Sequence, residues 1–114
     1  MELDYLILYV NDVDGVATWY QDVLGLEPDV ETPAFVRVRD DAGVGVAIHE
    51  GDPLDNPERV QLEFKVEDLD ATYERLRDEG VEFAAPPQEN PAGFRYVTTS
   101  DPAGHTVELR SAAE

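Results

Sequence analysis

Glu108 is the residue on which a reaction could most readily be built. It lies in the stretch Asp101-Pro102-Ala103-Gly104-His105-Thr106-Val107-Glu108-Leu109-Arg110. Asp, Pro and Gly at the first, second and fourth positions are the chemistry of a type I turn. From Thr106 the residues alternate, with Val107 and Leu109 apolar and Thr106, Glu108 and Arg110 polar. That period predicts a strand carrying Glu108 in the middle of its polar face. A carboxylate so held can move a proton or anchor a cation, or it can be a solvated surface charge. Gln61 and Glu63 offer an amide and a second carboxylate on another alternating stretch, and His49 ends a third.

The elements that must position these groups follow in order. Residues 3–10 read as a strand rich in Leu, Ile, Tyr and Val. Asn11 or Asp12 can cap a helix whose apolar face is Val13, Val16, Ala17, Tyr20, Val23 and Leu24, with Gly25 as its stop. Strands are expected at 26–30, 35–39 and 44–49, and 51–58 reads as a Gly/Pro linker. The pattern then recurs: a strand at 60–66, Asp68 as cap, Leu69, Tyr73 and Leu76 on a helix that Gly80 ends, and strands at 81–84, 94–99 and 106–110. Val10, Asp12 and Asp14 match Val66, Asp68 and Asp70, and Val46-Ala47-Ile48 match Val107-Glu108-Leu109. A repeated βαβββ unit results, about 2–50 and 59–111, in a single α+β domain spanning 1–114. The two modules are expected to form a curled mixed sheet with helices on its outer face, since about 55 residues bury too little surface to stand alone.

Alternation assigns the faces. Leu62, Phe64 and Val66 point toward the helix, leaving Gln61, Glu63 and Lys65 opposite; the repeat register then places Tyr5, Ile7 and Tyr9 on that second face. Val46 and Ile48 go inward, so Ala47 and His49 share the second face with Glu108 and Arg110. In a curled sheet this face is a groove lined by Tyr5, Tyr9, Ala47, His49, Gln61, Glu63, Glu108 and Arg110, with Phe35 and Arg37 beside them. An amphipathic sheet with its polar face in water fits the same spacing. His105, just past a turn, is expected at the surface, and Trp19 or Tyr20 in the core.

Composition narrows the classes. The net charge is -18, with 26 acidic residues against 8 basic ones. Such a field repels nucleic acid and anionic membranes. The acids are spread along the chain, which fits adaptation to high salt, a halophilic trait; attraction of a cationic ligand fits as well. With no cysteine there is no disulfide or thiolate chemistry. The longest apolar run, Leu6 to Val10, is too short to span a bilayer and no leader precedes it, so a cytoplasmic protein is expected.

The runs Leu3-Asp4-Tyr5-Leu6-Ile7-Leu8-Tyr9-Val10-Asn11-Asp12-Val13, Trp19-Tyr20-Gln21-Asp22-Val23-Leu24-Gly25-Leu26 and Asp101 through Leu109 resemble, in order and separation, the vicinal oxygen chelate superfamily. This group holds glyoxalase I, bleomycin-resistance proteins, fosfomycin-resistance enzymes and extradiol dioxygenases. The resemblance covers residues 3–111 and implies paired βαβββ modules around a small-molecule site, commonly in a homodimer. Metal-dependent members carry a ligand on the first and last strand of each module, which here are Tyr5, Ala47, Gln61 and Glu108. Only Glu108 is a strong ligand of that kind. The usual four-ligand centre is therefore not expected; Glu108 and Gln61 are the pair left to hold a divalent ion, with His49 as a substitute ligand or a general base.

Two functions fit. One is a glyoxalase-like lyase, isomerase or related enzyme, with Glu108 moving the proton, Gln61 and Tyr5 orienting substrate oxygens, and Arg110, Arg37 or Arg95 holding an anionic group. The other is a non-catalytic protein of the bleomycin-resistance type that sequesters its ligand.

Overall fold

The computed structural model describes residues 1–111. The first module runs β1 (Tyr5–Val10), α1 (Val13–Asp22), β2 (Glu27–Glu31), β3 (Phe35–Arg39) and β4 (Gly45–Glu50). The second runs β5 (Gln61–Val66), α2 (Leu69–Asp78), β6 (Gln88–Glu89), β7 (Arg95–Ser100) and β8 (Thr106–Ser111), after a single 3-10 turn at Pro57–Arg59. The chain is thus of the α+β class and consists of two tandem βαβββ modules, each with its own four-stranded mixed sheet. The strand orders are β1-β4-β3-β2 and β5-β8-β7-β6.

Both modules are built by the same local devices. Asp12 accepts a bond from the Gly15 N–H at 3.0 Å, and Asp68 one from Ala71 at 3.0 Å, so a carboxylate caps each helix. Gly25 and Gly80 end the helices with φ of 72° and 100°, a conformation that a side chain would strain. The first and last strands of each module, β1 with β4 and β5 with β8, pair in parallel, and the helix lies in the crossover that such a pairing requires.

The chain folds into two compact units. The first comprises residues 1–57 together with Asp101–Ala103, and the second holds the remainder. In the first, α1 buries Val13, Val16, Ala17 and Tyr20, and the sheet adds Leu8, Val10, Val36, Val38, Val46 and Ile48. The fully buried Tyr20 donates its hydroxyl to the Asp101 carboxylate at 2.7 Å. Burial and the adjacent carboxylate both push the Tyr20 pKa well above its ordinary value. In the second unit Leu69, Tyr73 and Leu76 of α2 are buried along with Leu62, Val97, Val107 and Leu109 of the sheet.

Two expectations need correction. The strand expected at 81–84 is absent; the pairing strand is β6, whose Gln88 and Glu89 face Tyr96 and Arg95. Residues 82–84 run beside β7 through only the Ala84 N–H to Thr98 bond at 2.9 Å and the Thr99 hydroxyl to Glu82 carbonyl bond at 2.6 Å. Pro86 and Pro87 bring no N–H to a ladder, so regular pairing starts after them. His105, expected at the surface, is 2% exposed. It has the strand parity of Val107 and Leu109, the buried face of β8, so the alternation carried one step further back accounts for it. Among the described residues, no helix is long and apolar enough to cross a membrane.

Candidate functional site

The face of the second sheet away from α2 is a polar lattice set by strand register. Gln61 stands beside Thr106, Glu63 beside Glu108, and Lys65 beside Arg110 on the parallel β5–β8 pair. On the other side of β8, Thr98 neighbours Glu108 and Tyr96 neighbours Arg110. Two carboxyl groups are therefore held side by side on adjacent strands. The Gln61 amide donates to Glu108 Oε1 at 3.2 Å, and Arg110 Nε donates to Glu63 Oε1 at 3.3 Å. The Arg110 guanidinium also lies over the Phe94 ring, 4.7 Å from its centroid.

This arrangement divides the pair. Partial burial, the hydrogen bond to Glu63 and repulsion from Glu63 raise the Glu108 pKa to about 7, against the opposing pull of Gln61 and Arg110. Near neutral pH Glu108 is therefore poised between acid and base, the condition for general acid–base work. Glu63 supplies part of that poise. The lateral match of Gln61-x-Glu63 with Thr106-x-Glu108 is the signal present in the sequence, but only the register turns it into a contact.

The face of the first sheet away from α1 carries different chemistry. Its rows across β1, β4 and β3 are Tyr5, Gly45 and Arg39; Ile7, Ala47 and Arg37; and Tyr9, His49 and Phe35. Arg37 and Arg39 both bind Asp29, through Nε bonds of 2.8 and 2.6 Å, and Arg39 also pairs with Asp4 at 2.7 Å. The two guanidinium groups hold the Asp29 carboxyl down at about 2. The Arg37 guanidinium sits 5.1 Å from the Tyr5 ring centroid. His49 stacks on Phe35 with ring centroids 4.6 Å apart and meets Tyr9 edge-on at 5.8 Å. Asp29 escapes a reading by alternation because the β2–β3 register shifts between Pro28 and Val30.

The expected residues thus sort into two groups. Gln61, Glu63, Glu108 and Arg110 are brought together in the second unit, and Tyr5, Tyr9, Phe35, Arg37, Ala47 and His49 share one face of the first. Ala47 is wholly buried and has no accessible surface to offer a ligand. Arg95 is not on the site face: it bonds Asp70 in the first turn of α2 at 2.8 Å, which lowers the Asp70 pKa.

The four positions that bear metal ligands in metal-dependent relatives present a phenol, a methyl group, an amide and a carboxyl. Tyr5 lies under a guanidinium, Ala47 has no donor atom, and the Gln61 amide N–H is directed at Glu108. Among the described residues no group of three or more His, Cys, Asp or Glu side chains could hold an ion. This donor set does not fit a four-ligand metal centre.

The repeated βαβββ architecture agrees with the comparisons to known proteins. The chain belongs to the Glyoxalase/Bleomycin resistance protein/Dioxygenase superfamily, whose family model matches residues 2–109. No curated protein matches the chain. Among solved structures, it is similar to a glyoxalase/bleomycin resistance protein/dioxygenase from Nocardioides, with 23% identity and a TM-score of 0.83 over 100% of this chain and 85% of that one. It is also similar to a lactoylglutathione lyase from Agrobacterium tumefaciens, with 21% identity and a TM-score of 0.80 over 97% and 93% of the two chains. The oxidase ChaP-H1 shares 30% identity and a TM-score of 0.79 over 99% and 97%.

Proposed function

We propose that the protein is a glyoxalase-like enzyme that moves a proton on a small oxygenated substrate, with Glu108 as the acid–base group and no four-ligand metal centre. The observation that carries this reading is the Glu63–Glu108 pairing on adjacent strands, which adds to the partial burial that raises Glu108 to about 7. A positioned carboxyl with a pKa near the working pH contributes on the order of 10²–10⁴-fold to a proton transfer. Gln61, bonded to Glu108, is placed to orient a substrate oxygen. The His49 imidazole has no hydrogen-bond partner among the described residues, so no such bond orients it as a base and proton transfer falls to Glu108. A homodimer is part of the proposal, in line with the exposed apolar side chains Leu3, Leu6 and Ile7 on or beside β1.

The test is deuterium uptake from solvent at carbon next to the carbonyl of 2-oxo acids and glutathione thioesters, read by proton NMR. Glu108→Gln is expected to bind the active compound as the parent does and to lose at least 100-fold in exchange rate. Undiminished exchange in that variant removes Glu108 from the mechanism. Stoichiometric nickel, zinc, manganese or iron in protein purified without chelator would overturn the metal-free reading. Sedimentation at high salt tests the dimer.

A second reading, ligand sequestration without turnover, is favoured by the net charge of -18 and by the ion-pairing of Arg37, Arg39 and Arg110. These features suit a cationic guest. Thermal-shift screening that finds cationic drugs stabilising the protein, with no compound turned over, would establish that reading instead.

A further inference from the structure

We infer that the cleft between the C-terminal half of α2 and residues 80–86 binds a small aromatic carboxylate, with Arg77 gripping the carboxylate and Tyr73 and Phe83 holding the ring. The cleft has a volume of about 620 Å³, within the range of about 300–1,000 Å³ that suits small molecules. It lies wholly in the second unit and shares no residue with the carboxyl pair, which stands on the sheet face away from α2. Tyr73 and Arg77, about one helical turn apart on α2, form one wall. Val81, Phe83 and Pro86 form the other.

Both walls are fixed by bonds of the fold. Gly80 turns the chain out of the helix with φ of 100°. The Val81 N–H then donates to the Leu76 carbonyl at 2.9 Å, and the Ala84 N–H to the Thr98 carbonyl at 2.9 Å. The stretch is thus pinned to α2 at one end and to β7 at the other. The Tyr73 and Phe83 rings meet at 58° with centroids 5.0 Å apart, which makes a corner instead of a closed stack. A third ring in that corner gains offset and edge contacts with both.

Arg77 selects the ligand class. Its Nη1 donates to the Tyr73 hydroxyl at 3.3 Å, and the guanidinium lies 5.2 Å from the centroid of that ring. Among the described residues Arg77 makes no ion pair, whereas Arg37, Arg39, Arg75, Arg95 and Arg110 each bind a carboxylate. In a chain with 26 acidic residues against 8 basic ones, a cation beside a cleft without a carboxylate partner is a vacancy for an anion. Nη1 is spoken for, and Nε and Nη2 are left, the two donors that grip a carboxylate side-on. Glu82 alternates with Val81 and Phe83 along the second wall and does not pair with Arg77. The field of the whole chain is screened beyond about 10 Å at 0.1 M salt, so the guanidinium decides what binds in its own contact.

Three probes test this by nitrogen–proton NMR titration in about 0.2 M potassium chloride: phenylacetate, its neutral analogue phenylacetamide, and acetate. Phenylacetate is expected to shift the amides of Tyr73, Arg77, Gly80 and Phe83 and to bind at least about fivefold more tightly than either of the others. Arg77→Gln should weaken it about tenfold, and Arg77→Lys about fivefold, because an ammonium keeps the charge without the fork. Phe83→Leu keeps apolar bulk, loses the ring and should weaken it about threefold. Thermal melts identify folded variants. Arg77 is exposed, so its replacements keep the test open if Phe83→Leu unfolds.

Absence of phenylacetate binding, or unchanged affinity in Arg77→Gln, would overturn the proposal. Equal binding of phenylacetamide would remove the carboxylate from it, and equal binding of acetate the ring. Shifts confined to Gln61, Glu63 and Glu108 would place the ligand on the other side of the sheet, and the cleft would be empty of function. A peptide ending in phenylalanine that shifts the same amides and binds at least about tenfold more tightly than phenylacetate would make the cleft a peptide site instead. None of these readouts depends on turnover at Glu108, so either reading can fail while the other stands.

Discussion

Replacing Glu63 with glutamine keeps the shape of the carboxyl pair and removes one charge. In the parent, the Glu108 pKa rises from 4.5 to about 7, through burial first and Glu63 second. The separation is about 2.5 pH units, each worth about 1.4 kcal/mol, or about 3.5 kcal/mol in all. Partial exposure of Glu108 reduces this toward about 2 kcal/mol. Because the folded state holds this proton more tightly than the unfolded chain, its contribution is fully present below pH 4.5 and is lost as pH rises through 7. Without the Glu63 charge, the Glu108 midpoint is expected to fall, while burial keeps it above the ordinary value. That flattens the loss between about pH 5 and 8, while the exposed Arg110 ion pair, worth up to about 1 kcal/mol, is removed as well. Carbon-13 NMR of the side-chain carboxyl carbons reads the midpoint, and urea denaturation at about pH 5 and pH 8 reads the stability difference. The reasoning is refuted if Glu108 titrates near 4.5 in the parent, or near 7 in both proteins.

Tyr20→Phe removes a hydroxyl donor from the buried Asp101 carboxylate and is expected to cost about 1.5–3 kcal/mol in urea denaturation; a loss below about 0.5 kcal/mol would deny the bond a structural role. Asp12→Ala and Asp68→Ala should each cost about 1 kcal/mol, while Asp12→Asn and Asp68→Asn should cost much less, since the amide oxygen also caps. The charge of -18 predicts a Tm that rises between about 0.1 M and 2 M potassium chloride, with scanning calorimetry as the readout, and a flat or falling Tm would rule out salt adaptation.

Much of the fold is legible in the sequence because the chain states each element twice. The caps at Asp12 and Asp68 and the stops at Gly25 and Gly80 all occur where spacing places them. The departures have local causes. Residues 81–84 are apolar enough to read as a strand, yet the proline pair behind them delays regular pairing to Gln88. At His105 two rules compete, and strand parity overrides the exposure that a neighbouring turn suggests. The site is legible as a set of faces, since alternation alone puts Glu63 and Glu108 on one side of the sheet. Which residues touch is not, because contact depends on register between distant strands. Asp29 shows the same limit: only the irregular β2–β3 pairing aims it at both Arg37 and Arg39.

The three-residue turn Asp101–Ala103 completes the first compact unit although it is made long after the rest of that unit. A ribosome that has released residues 1–57 has therefore exposed a helix whose innermost side chain, Tyr20, still lacks its acceptor. Synthesis proceeds at about 5–20 residues per second, so the gap before residue 101 emerges lasts a few seconds. A gene split at the linker would likewise yield a first fragment without the acceptor for the Tyr20 hydroxyl. A permuted chain that begins at residue 101 would remove the delay, and faster recovery of soluble protein in such a permutant would show how much the order of synthesis matters.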